Sequence, residues 1–325
     1  MKKTGKIVKT VVFLALILLI NAVMQYALVP SSYMRINFHN VRENKYDDIF
    51  IGTSHGFCGI DPVKVDEVTG RRSTNLCMPN EFLQDSYYIV KEVLRHQKPE
   101  RIIYELDPGY WVTENNTGHA EVFIYDNMPW SPVKLQYGLD KLGAKDFRAS
   151  LFLWHYYRSS LNLSEICSNL QNKQSKAYKE YREDQPSEDA EYYKGEGFLS
   201  HPRGAGENKQ DTNLVLWDEQ KVNEVSLEYF EKLAAYCRKE KIELIAVALP
   251  IPEETTELYQ DAYGEAYAYY EELMEQYEVD YYNFNTIKDA EIDRNLEDFY
   301  DYDGHMFADT AEAFSLVLGK YLKTD

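Results

Sequence analysis

The feature that most constrains this chain is a long apolar run near its start. Residues 10–29 read TVVFLALILLINAVMQYALV, in which Asn21 and Gln25 are the polar interruptions. About 20 helical residues, at 1.5 Å each, cross a hydrocarbon core about 30 Å thick. The run therefore predicts a transmembrane anchor over residues 10–29. It follows a basic segment, residues 1–9, whose lysines are Lys2, Lys3, Lys6 and Lys9.

The lysines also predict an orientation for this anchor. Because they precede the apolar run and few basic residues follow it directly, the N-terminus is expected in the cytoplasm. Everything from Pro30 onward is then expected outside, as in a single-pass protein of the cell membrane. The alternative is a cleaved signal peptide, but its apolar core would be only about 7–15 residues long. No small-x-small cleavage site is seen near Val29, so we expect an uncleaved anchor.

Charge and cysteine content exclude several classes of function. The formal net charge is -19, and a surface of that sign repels the phosphates of nucleic acids. We therefore expect no nucleic-acid partner. The cysteines show neither C-x-x-C nor Cys/His spacing, so neither a zinc site nor a dense disulfide framework is predicted, although one disulfide stays open. No cofactor is expected. The cysteines are Cys58, Cys77, Cys167 and Cys237.

After a linker over residues 30–45, short apolar runs alternate with amphipathic stretches. This order predicts a parallel sheet flanked by helices, in one domain over residues 46–325. The alternation is lost over about 118–213, which we interpret as a mostly helical insertion over the sheet edge, with an aromatic helical piece at 147–161. Strands are predicted at 48–52, 101–106, 243–249 and 280–284, with a weaker extended piece at 73–76, and helices at 81–96, 218–240, 254–277 and 307–322.

A serine lies directly after the first predicted strand, in Gly52-Thr53-Ser54-His55-Gly56. Open parallel sheets bind ligands outside the carboxyl ends of their strands, so Ser54 is a candidate nucleophile if a base can reach it. The five residues also match the G-x-S-x-G elbow of α/β-hydrolases, but in that fold several strands precede the elbow. His55 is expected to line the pocket or to donate a hydrogen bond, because neighbouring side chains diverge. A purely structural serine turn is the alternative.

A second polar turn, residues 299–306, precedes the last predicted helix and contains Asp301, Asp303 and His305. An aspartate that accepts a hydrogen bond from Nδ1 of a histidine leaves Nε2 free to deprotonate a serine. His305 is thus the candidate base for Ser54, with Asp303 preferred to Asp301 as its acid. The alternative is that Asp303 simply caps the helix.

Together, Gly52-Thr53-Ser54 and Asp303-Gly304-His305 resemble the serine block and the Asp/His block of the SGNH (GDSL-like) hydrolase superfamily. The resemblance covers Tyr46 to Asp325 loosely and implies a flavodoxin-like parallel sheet. Gly52-Thr53-Ser54-His55 and Leu106-Asp107-Pro108-Gly109-Tyr110-Trp111 are most similar to its membrane-anchored, DltD-like bacterial branch. That branch includes proteins of D-alanine transfer to teichoic acid and of polysaccharide O-acylation.

The sequence departs from the family pattern at the acid of the triad and at the oxyanion hole. The family spacing is D-x-x-H, and Tyr302 occupies the expected acid position. The glycine and asparagine blocks of the oxyanion hole are not clearly present: Asn80 is a candidate, and Asp107 stands where the family has its Gly-x-Asn-Asp block. The backbone amides of Ser54 and His55 are the remaining candidate donors.

The resemblance implies acyl transfer through an ester on Ser54, with water or a sugar hydroxyl as acceptor. With the anchor, it implies O-acylation or deacylation of a cell-envelope polysaccharide or teichoic acid beside a membrane-bound O-acyltransferase. Two alternatives stay open. One is a catalytically inactive scaffold, and the other is a metal-dependent enzyme that uses Asp301, Asp303, His305 and His55. The tryptophans Trp111, Trp130 and Trp154 are candidates either for stacking on sugar or for core packing.

Overall fold

The computed structural model describes residues 2–113, 120, 122–143, 152–160, 162–182, 192–203, 214–288 and 292–323. The chain divides into two compact units. The helical unit comprises residues 1–32 and 117–184, and the α/β body comprises residues 33–116 and 185–325. Within residues 118–213, the helices group with the N-terminal helix and the β-hairpin groups with the α/β body.

The elements are as follows in chain order. The helices are α1 (Lys2–Leu28), α2 (Met34–Glu43), α3 (Ser54–Gly59), α4 (Pro62–Thr69), α5 (Leu83–Val93), α6 (Pro108–Val112), α7 (Phe123–Asn127), α8 (Pro132–Gly138), α9 (Leu163–Gln174), α10 (Lys176–Lys179), α11 (Glu224–Glu240), α12 (Glu253–Leu258), α13 (Gln260–Tyr277) and α14 (Ala308–Leu322). The strands are β1 (Asp48–Ile51), β2 (Ser73–Asn75), β3 (Arg101–Glu105), β4 (Tyr192–Gly195), β5 (Phe198–Ser200), β6 (Glu243–Ala248) and β7 (Asp280–Asn283). A π-helical turn (Leu139–Gly143) and 3₁₀ helices (Leu153–Ser160, Glu219–Lys221 and Leu296–Asp298) are also present.

A parallel sheet forms the centre of the α/β body, in the strand order β2-β1-β3-β6-β7. Each neighbouring pair is parallel, which confirms the predicted sheet. β1 and β3 are buried along their whole length, as strands covered on both faces must be. The strand order reverses between β1 and β3, and this reversal is the topological switch point where such sheets bind ligands. Ser54 follows β1 and Asp107 follows β3, so both lie at this point.

Several helix boundaries differ from the sequence-based expectation for local reasons. The helix predicted from residue 218 begins at Glu224, because the side chain of Asn223 caps it by accepting a hydrogen bond from the Val225 amide. The helix predicted over 254–277 is divided at Tyr259 into α12 and α13. The helical piece predicted at 147–161 is a 3₁₀ helix over Leu153–Ser160. Its residues 147–151 and 161 lie outside the described residues.

The β4–β5 hairpin is held against β2 by its turn. The amide of Asn75 donates to the carbonyl of Glu196 at 2.8 Å. Gly197 has a φ of +91°, and a Cβ there would lie 1.7 Å from the Asn75 carbonyl oxygen. Only glycine fits this close approach. The hairpin thereby brings Leu199 and His201 next to the residues that follow β1.

A buried ion pair ties the amino end of the sheet together. The guanidinium of Arg101, at the start of β3, donates to both carboxylate oxygens of Asp48, at the start of β1. Arg101 also donates to the carbonyl of Leu322, near the end of α14, and Arg71 donates to Asp48 from the side. Asp48 and Arg101 are almost completely buried. Such a pair is costly to break, because its remaining partner becomes a buried, unpaired charge.

We expect Asp48→Ala to lower the free energy of unfolding by about 3–5 kcal/mol, since it leaves the Arg101 guanidinium buried without its carboxylate. The matched control is Glu67→Ala, which removes an exposed pair with Lys64 and should cost less than about 1 kcal/mol. Urea unfolding of the detergent-solubilised chain, followed by circular dichroism, measures both. Equal midpoints for the two variants would contradict this account of the sheet.

Candidate active site

Ser54 is the first residue of α3, directly beyond the carboxyl end of β1. Thr53 forms the N-cap of α3, and its hydroxyl accepts a hydrogen bond from the His55 amide at 3.3 Å. Gly52 has a φ of +143°, and a Cβ there would meet Cβ and the carbonyl oxygen of Glu105 at 2.7 and 2.9 Å. The chain can therefore make this sharp turn from strand to helix only with glycine at position 52.

His305 lies in the loop before α14, which is closed by a short antiparallel bridge between Phe299 and Met306. Within this loop one carboxylate oxygen of Asp301 accepts hydrogen bonds from the amides of Gly304 and His305, at 3.0 and 3.1 Å. Gly304 adopts a φ of +112°, which glycine tolerates without strain. The Asp301 side chain thus fixes the loop that carries His305.

Ser54, His305 and Asp301 form a continuous hydrogen-bonded chain. Oγ of Ser54 lies 2.8 Å from Nε2 of His305, and Nδ1 of His305 lies 2.7 Å from the second carboxylate oxygen of Asp301. Burial alone would raise the pKa of Asp301, but its hydrogen bonds to His305 and the charge of that ring lower the pKa below its usual value. Asp301 therefore stays ionised and can orient and stabilise a protonated His305.

This geometry favours Asp301 over Asp303 as the acid partner of His305, which reverses the sequence-based preference. Asp303 is two residues before His305, and its carboxylate turns instead toward His55, 3.9 Å from Nε2. It is not the N-cap of α14 either, since that position is Phe307. The reason is local: the turn at Gly304 redirects the chain, so the residue four positions before His305 reaches Nδ1.

His55 points into a cluster of carboxylates beside Ser54. Its Nδ1 lies 3.3 Å from a carboxylate oxygen of Asp107, and its ring centroid is 4.6 Å from that of His305. Burial lowers the pKa of His55, but the surrounding carboxylates outweigh burial and raise it to about 9. In decreasing order of effect these carboxylates are Asp107, Asp303, Glu105 and Asp301. His55 is therefore a buried cation at neutral pH, and its Nε2 has no hydrogen-bond partner among the described residues.

Two buried glutamates, which were not predicted from the sequence, hold the serine turn through hydrogen bonds to Gly52 and Thr53. Glu105, the last residue of β3, accepts hydrogen bonds from the amide and the hydroxyl of Thr53 at 2.7 and 2.9 Å. Glu81 accepts one from the amide of Gly52 at 3.2 Å. Burial raises the pKa of Glu105 to about 7 and that of Glu81 well above its usual value. The sequence did contain one indication of Glu105, since it is a charged residue at the end of the otherwise largely apolar strand RIIYE.

The candidate donors for an oxyanion are unevenly available. The amide of His55 already donates to Thr53. The amide of Ser54 belongs to the first turn of a helix, where amides have no intrahelical acceptor. Asn80 lines the same cavity as Ser54, in a left-handed conformation with a φ of +62°. Asp107 also lines the cavity and caps α6, so the cavity wall carries a carboxylate at this position.

Two hollows share Ser54 and His305 in their walls. The larger, about 360 Å³, runs past His55, Asp107 and the rings of Tyr110, Tyr263 and Tyr267. The smaller, about 190 Å³, is lined by Phe57, Pro79, Leu199, His201, Tyr300 and Asp301. A serine shared by two hollows has room for the acyl part of an ester in one and its alcohol part in the other.

Three of the four residues considered for a metal converge at this site. Ligand atoms of His55, Asp303 and His305 all lie within 4.8 Å of one another. Both ring nitrogens of His305 are, however, already engaged, Nδ1 by Asp301 and Nε2 by Ser54. A metal bound through His305 would have to displace one of these partners, so the geometry suits the Ser–His–Asp chain better than a metal.

No family model matches the chain, and no curated protein matches it. Among solved structures, one from Desulfitobacterium hafniense DCB-2, provisionally described as a lipolytic protein of the G-D-S-L family, shares 10% sequence identity. The match covers 86% of this chain and 98% of that one, with a TM-score of 0.36.

We expect Gly52→Ala to destabilise the chain by about 1–3 kcal/mol, because its Cβ would collide with Glu105 and its φ is unfavourable for alanine. Labelling of Ser54 by a fluorophosphonate probe should fall with it. The matched control is Gly264→Ala in α13, where a Cβ meets open space. Unfolding midpoints and labelling rates are measured for both variants. If Gly52→Ala labels as fast as the control, the turn does not depend on glycine.

Proposed function

We propose that this chain is a membrane-anchored serine enzyme of the SGNH type that acts on acyl esters of a cell-envelope polysaccharide or teichoic acid. The observation that carries the proposal is the hydrogen-bonded chain from Ser54 through His305 to Asp301. A serine hydroxyl is a weak nucleophile, and this arrangement supplies both the base that activates it and the acid that orients the base.

The proposed reaction proceeds in two halves. Oγ of Ser54 attacks the ester carbonyl while Nε2 of His305 takes the hydroxyl proton. The tetrahedral intermediate collapses as His305 returns that proton to the departing alcohol, which leaves the acyl group on Ser54. His305 then deprotonates the acceptor, a water or a sugar hydroxyl, whose oxygen attacks the acyl carbonyl, and the acyl–Oγ bond breaks as His305 returns the proton to Oγ of Ser54. Water gives deacylation, and a sugar hydroxyl gives O-acyl transfer.

His55 has a defined task in this proposal. Asp107 and Asp303 line the same cavity as Ser54, so their carboxylates would repel the negative charge that develops on the carbonyl oxygen. A protonated His55 between them offsets that repulsion, and its Nε2 has no hydrogen-bond partner among the described residues. The amide of Ser54 and the His55 imidazolium together would take the place of the missing family donors.

The anchor supports the choice of a substrate held at the membrane. Among the described residues, Gly5–Leu28 is the one helix apolar and long enough to cross a bilayer, with a mean hydropathy of 2.5. Tethering raises the effective concentration of an enzyme toward lipid-linked glycans or toward a membrane-bound O-acyltransferase that supplies acyl groups. Positive residues ahead of the helix favour an orientation with the α/β body outside the cell.

A catalytically inactive scaffold of an envelope-glycan acylation complex is the second candidate. Asp107 favours it, because a carboxylate in the place of an amide donor opposes an oxyanion. The two candidates differ in whether Ser54 forms a covalent bond.

We expect a fluorophosphonate probe to label the parent chain, and Ser54→Ala and His305→Ala to abolish labelling. Asp301→Asn should slow labelling at least about 100-fold, because it removes the carboxylate that orients His305 and stabilises its protonated form. Asp303→Asn is the matched control and should retain labelling within about 10-fold, since it lies away from Nδ1. Gel fluorescence over time measures these rates. An unlabelled but folded parent would favour the scaffold.

We expect ester hydrolysis by the parent to fall as the pH rises through about 9. Below that pH His55 carries its charge, and above it the charge is lost, so the neighbouring carboxylates repel the oxyanion. His55→Gln should be about 100-fold slower at neutral pH and should lack this alkaline decrease. Profiles of kcat/KM from neutral to alkaline pH check both points. The same alkaline decrease in His55→Gln would contradict the role given to His55.

A further inference from the structure

One side of α1 is covered by other parts of the helical unit. Its residues are exposed from Gly5 to Leu16, but beyond that point a stripe is partly or fully buried. Its members recur at helical spacing, which marks one face of the helix. The α9 helix and the 3₁₀ helix Leu153–Ser160 contact α1. The covered stripe consists of Ile17, Asn21, Met24, Gln25 and Leu28.

Polar groups of α1 are satisfied by the same unit. Nε1 of Trp154 donates to the side-chain oxygen of Asn21 at 2.9 Å, and the side chain of Gln25 donates to Asp126 at 2.6 Å. At the end of α1, the buried ammonium of Lys173 donates to the carbonyl of Tyr26 at 2.7 Å and also to that of Val29. The polar interruptions of the apolar run are thus covered by specific partners.

These contacts lie at a depth that can be estimated. If the hydrocarbon core begins after Lys9, it ends near Val29. Asn21 is then about 12 Å, and Ile17 about 18 Å, below that boundary at 1.5 Å per residue. Partners of these residues must reach the same depth, so the Trp154 side chain lies well inside a layer about 30 Å thick. In that layer every polar group needs a protein partner, and Asn21 has one.

The helical unit also exposes large apolar side chains to its surroundings. Outside α1, the described residues of the unit include four such side chains, with exposed fractions of 73% for Trp130, 57% for Leu135, 69% for Leu139 and 81% for Leu163. Leu135 and Leu139 are four residues apart and share one face. Trp130 belongs to a residue type that is enriched at membrane–water interfaces. We call these four residues the exposed apolar set.

The direction of α9 places Leu163 on the bilayer side. Asn169 donates to the carbonyl of Leu28, and Asn172 donates to the hydroxyl of Ser31. Trp154 contacts Asn21 and Asn169 contacts Leu28, so the chain from Trp154 to Asn169 advances in the same direction as α1, and Leu163 lies between these two contacts along the chain. Leu163 precedes Asn169 by six residues, or about 9 Å of helix, toward the middle of the membrane.

We infer that the helical unit is itself embedded in the membrane, where it enters the lipid leaflet on the Val29 side along α1 and turns the exposed apolar set toward lipid. The inference rests on the part of the proposed function that has α1 span the bilayer. It is independent of any chemistry at Ser54. Lipid is favoured over a protein partner because the unit packs on α1, whose own exposed apolar side chains face lipid when α1 spans the bilayer.

The test uses the full chain, with the exposed Cys167 replaced by serine, reconstituted into phosphatidylcholine vesicles. Leu135→Cys, Leu139→Cys and Leu163→Cys are each labelled with an environment-sensitive fluorophore. The matched control is Leu258→Cys, an equally exposed leucine, at 64%, in α12 of the α/β body. We expect blue-shifted emission that brominated lipids quench at least about two-fold at the three sites, and no such quenching at the control.

Labels at 135, 139 and 163 that stay in water, quenched by iodide as strongly as the control, would overturn the inference. Labels that are water-exposed in vesicles but protected in native membranes would overturn it in favour of a protein partner. Release of the chain from membranes by alkaline carbonate would also overturn the inference, because it would show that α1 does not span the bilayer. Repeating the quenching with Ser54→Ala separates the two proposals, because that variant loses probe labelling and should keep the lipid contact unchanged.

Discussion

The hydrogen bond between Ser54 and His305 is the interaction on which the proposed function depends. It joins two residues that lie far apart in the sequence, one near the start and one near the end of the α/β body. It forms because the parallel sheet brings the carboxyl end of β1 and the loop before α14 to one edge. The strand order reverses next to β1, which opens a crevice at that edge. A glycine turn before Ser54 and a carboxylate-braced loop before His305 fix the two side chains. The pairing is therefore a product of sheet topology and of two local turns.

The charge balance around this pair is unusual. Carboxylates surround the serine, and without compensation they would oppose an oxyanion. The His55 imidazolium supplies the compensation, because its proton is held by those same carboxylates. Nearby, Glu81 and Glu105 use burial and hydrogen bonds to hold the turn, with pKa values raised by desolvation. One cluster of acids thus serves both to shape the serine turn and to keep a cation beside it.

Much of this arrangement could be predicted from the sequence. Apolar runs of strand length, separated by amphipathic stretches, indicated the parallel sheet, and the positions after β1 and before the last helix indicated Ser54 and His305. The choice between Asp301 and Asp303 could not be predicted, because it depends on the turn made at Gly304. The roles of Glu81 and Glu105 in holding the serine turn could not be predicted either, because hydrogen bonds from side chains to backbone amides produce no periodic pattern in the sequence. The grouping of the inserted helices with α1 depends on long-range contacts, which local patterns do not contain.

The central claim, that Ser54 is an activated nucleophile, is tested most directly by rapid mixing with p-nitrophenyl acetate. The account predicts a burst of nitrophenolate close to one equivalent per chain, with the acetyl group found on the peptide that contains Ser54. Absence of a burst, together with an unmodified Ser54 in a folded chain, would contradict it.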